Sequence, residues 1–120
     1  MLYHRRVGPE YDRRSHMAVY FTNTVKVKPG HVEEFLAAAP KAVAIYEKYG
    51  MKFHGAFQAV GGEANVAVYL VSVADFAAWG DLTQKLQADS AFMALGRELG
   101  PHFDSSVVQA LVPMPGSAMQ

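Results

Sequence analysis

The chain contains no cysteine. It therefore has no disulfide framework, no thiolate nucleophile and no cysteine-ligated metal. Such a chain suits a reducing compartment, and a cytoplasmic location is the expectation. Neither sign of charge is in excess: Lys+Arg and Asp+Glu number 11 each, and the formal net charge is zero. Binding driven by phosphate neutralisation needs a basic surplus, so no nucleic-acid partner is expected. No apolar run approaches the roughly 20 residues of a membrane span, so no membrane partner is expected either. The sequence lacks a phosphate-binding loop, a nucleophile elbow and a dinucleotide fingerprint. No His/carboxylate grouping has metal-ligand spacing along the chain, so no metal is expected. What is there is enough for one folded domain: 120 residues, 51% hydrophobic and 18% charged, against roughly 100–200 residues for a typical domain.

Residues 1–16 differ from the rest. Arg5, Arg6, Arg13 and Arg14 stand against Glu10 and Asp12, and Arg97 is the sole arginine beyond this segment. The segment has no helical or strand periodicity, and it lacks the apolar stretch of a secretory signal. It reads as a disordered basic leader, with Ser15-His16-Met17 resembling a cloning junction. The domain is expected over 17–113, with a flexible tail over 114–120.

Within the domain the pattern predicts β-α-β-β-α-α-β. Residues 17–28 alternate, with Val19, Phe21, Asn23, Val25 and Val27 on one face of a strand. A helix over 31–49 follows, with Val32, Phe35, Leu36, Ala39, Val43 and Tyr46 as its apolar face. Pro40 should kink or split it, and Gly50 should cap it in the left-handed region. Strands over 51–60 and 64–72 flank the Gly61-Gly62 turn and form an antiparallel hairpin. Ser72, with Asp75, should cap a helix whose inward stripe is Phe76, Trp79, Thr83 and Leu86. Asp89 or Ser90 caps a shorter helix carrying Phe92, Leu95 and Leu99, stopped by Gly100-Pro101. The last strand spans 105–112.

This order predicts an α+β, ferredoxin-like sandwich: a four-stranded antiparallel sheet with helices on one face. The last strand is apolar on both sides (Val107 and Leu111; Val108, Ala110 and Val112), and so is the strand over 64–72. A sheet apolar on both faces needs a second cover. A second copy of the chain, sheet against sheet, is the expected partner.

Several features together resemble the NIPSNAP branch of the dimeric α/β-barrel superfamily. They are the first strand running into Lys28-Pro29-Gly30, the segment Tyr46-Glu47-Lys48-Tyr49-Gly50, Gly55, the Gly61-Gly62 turn, Ser72-Val73-Ala74-Asp75, and Leu86-Gln87-Ala88-Asp89-Ser90-Ala91-Phe92. The resemblance covers about residues 17–113. It implies a homodimer with a pocket between helices and sheet in each subunit. The superfamily includes cofactor-free monooxygenases, haem-degrading monooxygenases, and small cyclases and isomerases.

Two residues are the candidates for catalysis. Asn23 is the polar member of an apolar stripe, and a buried amide must find a hydrogen-bond partner. The resemblance adds that an asparagine at this spacing from the turn glycine, Gly30, orients oxygen or substrate. His54, on the second strand beside Gly55, is the natural general base because histidine titrates near neutrality; it is read as sharing a face with Lys52, Ala56 and Gln58. Phe21, Trp79, Tyr69 and Phe92 are the candidate substrate-binding residues, with Trp79 matching a pocket tryptophan of the relatives. Haem-degrading relatives place a histidine four residues beyond a helix phenylalanine, but four beyond Phe92 is Gly96, and His102 lies past Gly100-Pro101. Haem is therefore not expected, nor any other cofactor. His31, at the helix start, is read as solvated. The expected function is binding of a small organic ligand in an apolar pocket, with cofactor-independent oxidation or isomerisation of an aromatic or carbonyl compound as the matching chemistry. The alternative is a non-catalytic binding or interaction module.

Overall fold

A computed structural model of the chain describes residues 18–117. The proposed leader over 1–16, the start at Met17 and the end of the tail lie outside the described residues. Strand β1 (Val19–Val27) leads to helix α1 (Val32–Lys48), then strands β2 (Lys52–Gln58) and β3 (Val66–Val73). Helices α2 (Phe76–Ala88) and α3 (Ser90–Leu99) follow, and a single 3-10 turn (Gly100–His102) enters strand β4 (Phe103–Leu111). The sheet order is β2-β3-β1-β4, all antiparallel. This is the ferredoxin-like α+β arrangement that the element order predicts. No helix among the described residues is long and apolar enough to cross a membrane.

β1 lies at the sheet's centre, paired with β3 on one side and β4 on the other. Its alternation is that of a strand with one covered face: Val19, Phe21, Val25 and Val27 are buried. The helices pack on that face. Leu82 and Leu86 of α2 join Val19, Phe21, Met51 and Val73 in one cluster. Leu95 and Leu99 of α3 join Ala38 of α1 in another.

Local details depart from the sequence pattern in informative ways. α1 runs unbroken through Pro40. Pro40 is exposed, and so is Leu36, whose carbonyl loses its partner to the proline, so water can replace the missing donor there. Leu36 therefore does not belong to the apolar face, and Ala38 takes a buried place instead. Phe76 is likewise 54% exposed, while Leu82 is buried in α2. The α2 cap is Asp75 rather than Ser72: Asp75 Oδ1 accepts from the Ala78 amide at 2.8 Å, and Ser72 belongs to β3. Gly50 adopts the expected left-handed conformation (φ 97°). Gly100 does not; it is right-handed helical and carries the chain into the 3-10 turn, so β4 begins at Phe103.

One polar clasp joins the helices. Asp89 accepts from the Phe92 amide at 2.8 Å, capping α3. Its other oxygen accepts a hydrogen bond from the Tyr49 hydroxyl, and Lys48 Nζ stands 3.6 Å away. These contacts tie the start of α3 to the end of α1. The Tyr49 hydroxyl, the Phe92 amide and Lys48 lower the Asp89 pKa, and the same bond raises that of Tyr49. A carboxylate with a depressed folded pKa binds fewer protons in the folded state. Its stabilisation is complete above the unfolded value of about 4 and is lost as pH falls through the lower folded value. Asp89→Asn is expected to be less stable at neutral pH and to lose less further stability on acidification than the parent. Urea unfolding at a series of pH values checks this; parallel pH profiles would contradict it.

Candidate functional site

The helices do not fill the space above the sheet. Between them and the inward face lies a cavity of about 270 Å³. β1 contributes Phe21, Asn23 and Val25 to its floor, and Phe53, Tyr69 and Val71 come from β2 and β3. α1 gives Phe35, Ala39, Val43 and Tyr46, α2 gives Trp79, and α3 gives Phe92, Leu95, Gly96 and Leu99. The volume follows from residue size. Ala39, Ala42 and Gly96 face a floor of aromatic rings, and a Cβ added at Gly96 would meet nothing within 4 Å.

Aromatic contacts stiffen the walls. The Phe21 and Trp79 rings stack with centroids 3.8 Å apart, pinning α2 to β1. Tyr46 meets Phe92 edge-on at 5.4 Å, joining α1 to α3. Tyr69 lies between Phe35, at 6.1 Å, and Phe53, at 6.4 Å. Such pairs contribute about 0.5–1.5 kcal/mol each beyond the area they bury.

A few polar groups interrupt the apolar lining. Asn23 stands opposite Tyr69 on β3 and Val108 on β4. Its Oδ1 accepts a hydrogen bond from Ser106 Oγ at 2.9 Å, which leaves the amide NH2 without a partner among the described residues. The Tyr46 and Tyr69 hydroxyls also lack hydrogen-bond partners among the described residues. Burial raises the pKa of both phenols, so they stay protonated at neutral pH and act as donors. Glu47 contributes the one carboxylate of the lining, and no histidine is among these residues.

Phe21, Asn23, Tyr69, Trp79 and Phe92 thus come together around one space. His54 does not join them. β2 carries an irregularity between Phe53 and Gly55, so that Phe53 pairs with Val71 while Gly55 pairs with Leu70. The bulge reverses the side-chain alternation beyond it. Lys52 and His54 stay on the face away from the helices, whereas Ala56 and Gln58 turn inward with their partners Tyr69 and Ala67. His54 Nε2 lies 2.7 Å from Ser72 Oγ, and its ring is 5.3 Å from that of Tyr20. Asn23 and His54 therefore sit on opposite faces of the sheet.

Sequence reasoning missed Ser106, Glu47 and Phe53. Ser106 becomes visible only through register: it pairs with Val25 and bonds Asn23, 83 residues earlier in the sequence. Glu47 belonged to a recognised segment but gave no sign of its orientation. Sequence reasoning also missed a cluster on the surface, where His31, Glu34 and His102 bring their ligand atoms within 4.8 Å of one another.

Comparison with known proteins places this geometry. Residues 18–118 match the sequence model of the NIPSNAP family. An uncharacterised NIPSNAP domain protein from Burkholderia xenovorans is similar in structure, with a TM-score of 0.75 at 21% identity, covering 82% of this chain and 97% of that one. A NIPSNAP family protein from Agrobacterium tumefaciens reaches a TM-score of 0.78 at 18% identity, covering 86% and 99%. A mutant of SnoaB, a cofactor-independent oxygenase from Streptomyces nogalater, reaches 0.63 at 16% identity, covering 86% and 98%. A search of curated proteins returned no match.

The unpartnered phenols generate a stability test. Removing a hydroxyl that makes no hydrogen bond costs little, so Tyr46→Phe and Tyr69→Phe are each expected within about 0.5 kcal/mol of the parent in urea unfolding. A loss of about 1–3 kcal/mol would show that the hydroxyl has a partner in the folded protein.

Proposed function

We propose, starting from the fact that this chain belongs to the NIPSNAP family, that its cavity binds a small organic molecule with an apolar ring body and one carbonyl or phenolic oxygen. The observation that carries this reading is an apolar cavity in which the Asn23 NH2 group and the Tyr46 and Tyr69 hydroxyls lack protein partners among the described residues. A cavity of about 150 Å³ takes benzene, and ligand pockets begin near about 300 Å³. The volume here suits one or two rings. Phe21, Trp79, Tyr69 and Phe92 supply aromatic surface for them.

The chemistry suited to such a site is cofactor-independent oxidation or isomerisation. The substrate loses a proton beside its carbonyl, and the three donors stabilise the oxyanion that forms. In isomerisation the proton returns at another carbon. In oxidation the carbanion supplies electrons to dioxygen: a CH2 group becomes C=O, one oxygen atom enters the product, and the other leaves as water. Asn23 orients the reacting oxygen. His54, on the far face, is not the base in this scheme; Glu47 lines the cavity and takes that role. The shared fold with an oxygenase adds an analogy, which is weaker support than the site itself. The Ser106–Asn23 bond favours a second reading, binding without turnover, because it already satisfies part of Asn23.

The functional unit is a pair of chains. Phe57, Val107 and Leu111 are 59%, 60% and 38% exposed on the sheet face opposite the helices. A second copy against that face removes this apolar surface from water. Sedimentation equilibrium is expected to give a dimer; a monomer mass at all concentrations would contradict it.

Trp79 is the sole tryptophan, so its emission reports on the cavity. Titration with 1-naphthol is expected to quench it saturably, with one molecule bound per chain. Asn23→Ala should weaken binding by about three- to tenfold, the loss of one hydrogen bond. Gly96→Phe should abolish binding by filling the space. Undiminished quenching in Gly96→Phe would overturn the assignment.

A further inference from the structure

We propose that His31, Glu34 and His102 form a binding site for a divalent transition-metal ion, with solvent completing the coordination. The backbone builds the cluster from two distant parts of the chain. The Lys28 amide donates to the His102 carbonyl at 2.8 Å, holding the 3-10 turn before β4 against the end of β1. The His31 amide donates to the Lys28 carbonyl at 3.0 Å, which brings the start of α1 to the same place. Glu34 follows one helical turn after His31 and so lies on the same side of α1.

The side chains converge. The His31 and His102 Nδ1 atoms are 2.8 Å apart. Glu34 Oε2 lies 3.2 Å from His102 Nε2 and 3.6 Å from His31 Nδ1. An ion with bonds of about 2.1 Å places neighbouring ligand atoms roughly 3.0 Å apart in octahedral and 3.4 Å apart in tetrahedral geometry. His102 faces His31 with Nδ1 and Glu34 with Nε2, and only one of its nitrogens can bind a given ion. One ligand atom from each of the three residues lies within 4.8 Å of the others, so the His102 ring and the exposed Glu34 carboxylate must turn to bring all three to those spacings.

The donor set selects the class of metal. Two imidazoles and one carboxylate suit zinc, nickel, cobalt or iron(II), whereas magnesium and calcium prefer oxygen ligands alone. The cluster's partial exposure leaves room for water or an external ligand. One effect opposes a cation here, the positive end of the α1 dipole. Glu34 itself and Glu33, both in the first turn, offset it. The site is separate from the cavity, whose lining includes none of the three residues. Its test therefore stands or fails independently of the ligand-binding reading.

The experiment is calorimetric titration of the full chain with zinc chloride in a non-coordinating buffer. His4 and His16, outside the described residues, are replaced by alanine in every sample so that they do not contribute. One zinc ion per chain is expected, with no binding of magnesium. His102→Ala and Glu34→Gln should each weaken binding by at least about tenfold. Glu34 is exposed, so its variant keeps the test valid even if His102→Ala folds poorly. With cobalt(II) in place of zinc, the visible spectrum of the bound ion should change in Glu34→Gln. Absence of zinc binding, or equal affinity and an unchanged cobalt spectrum in Glu34→Gln, would overturn the site.

Discussion

The position of β1 constrains everything else in this structure. It is hydrogen-bonded on both edges, to β3 and to β4, so its side chains have only two directions available. One set meets the helices, and Val19, Phe21, Val25 and Val27 supply its apolar surface. A slip of one residue would send Tyr20, Thr22, Thr24 and Lys26 into the core. The same register puts Asn23 at mid-strand, facing the helical layer, with Ser106 close enough to bond it. The one polar interruption of the stripe is thus held in a fixed place on the cavity floor.

A cavity above a β-sheet persists only if the side chains around it cannot collapse inward. Here the large residues are rings braced against each other: Phe21 on Trp79, Tyr46 on Phe92, and Tyr69 between Phe35 and Phe53. The helical side presents Ala39, Ala42 and Gly96, which have no reach to fill the gap. The Asp89 clasp fixes α3, and with it Phe92 and Gly96, relative to the end of α1. Braced rings and short side chains together leave an open, mostly apolar space whose polar groups are few and mostly unspent.

Much of this was legible from the residues. Alternation over 17–28 located Asn23 and Phe21 on the helix-facing side, because a strand's period of two leaves no other choice. Helical spacing did the same for Trp79 and Phe92. The element order was enough for the ferredoxin-like sheet. Ala56 and Gln58 do not share the face of Lys52 and His54, because one extra residue in β2 inverts the alternation beyond it, and Gly55 was the one local mark of that bulge. Leu36 and Phe76 fit an apolar stripe by spacing alone, yet the neighbouring elements do not reach them. The pairing of His31 with His102 spans 71 residues, and the β1–β4 pairing with the hydrogen bonds from Lys28 to His102 and from His31 to Lys28 brings them together. Long-range register, rather than local pattern, decided each of these.

The central claim is that the space over Asn23 receives a ligand, and a crystal structure of the chain with 1,4-naphthoquinone tests it most directly. The account predicts the ring system between Trp79 and Phe92, with a carbonyl oxygen within hydrogen-bond distance of Asn23 Nδ2. A cavity closed by its own side chains, with the quinone absent or lodged on the outer sheet face beside His54, would contradict it.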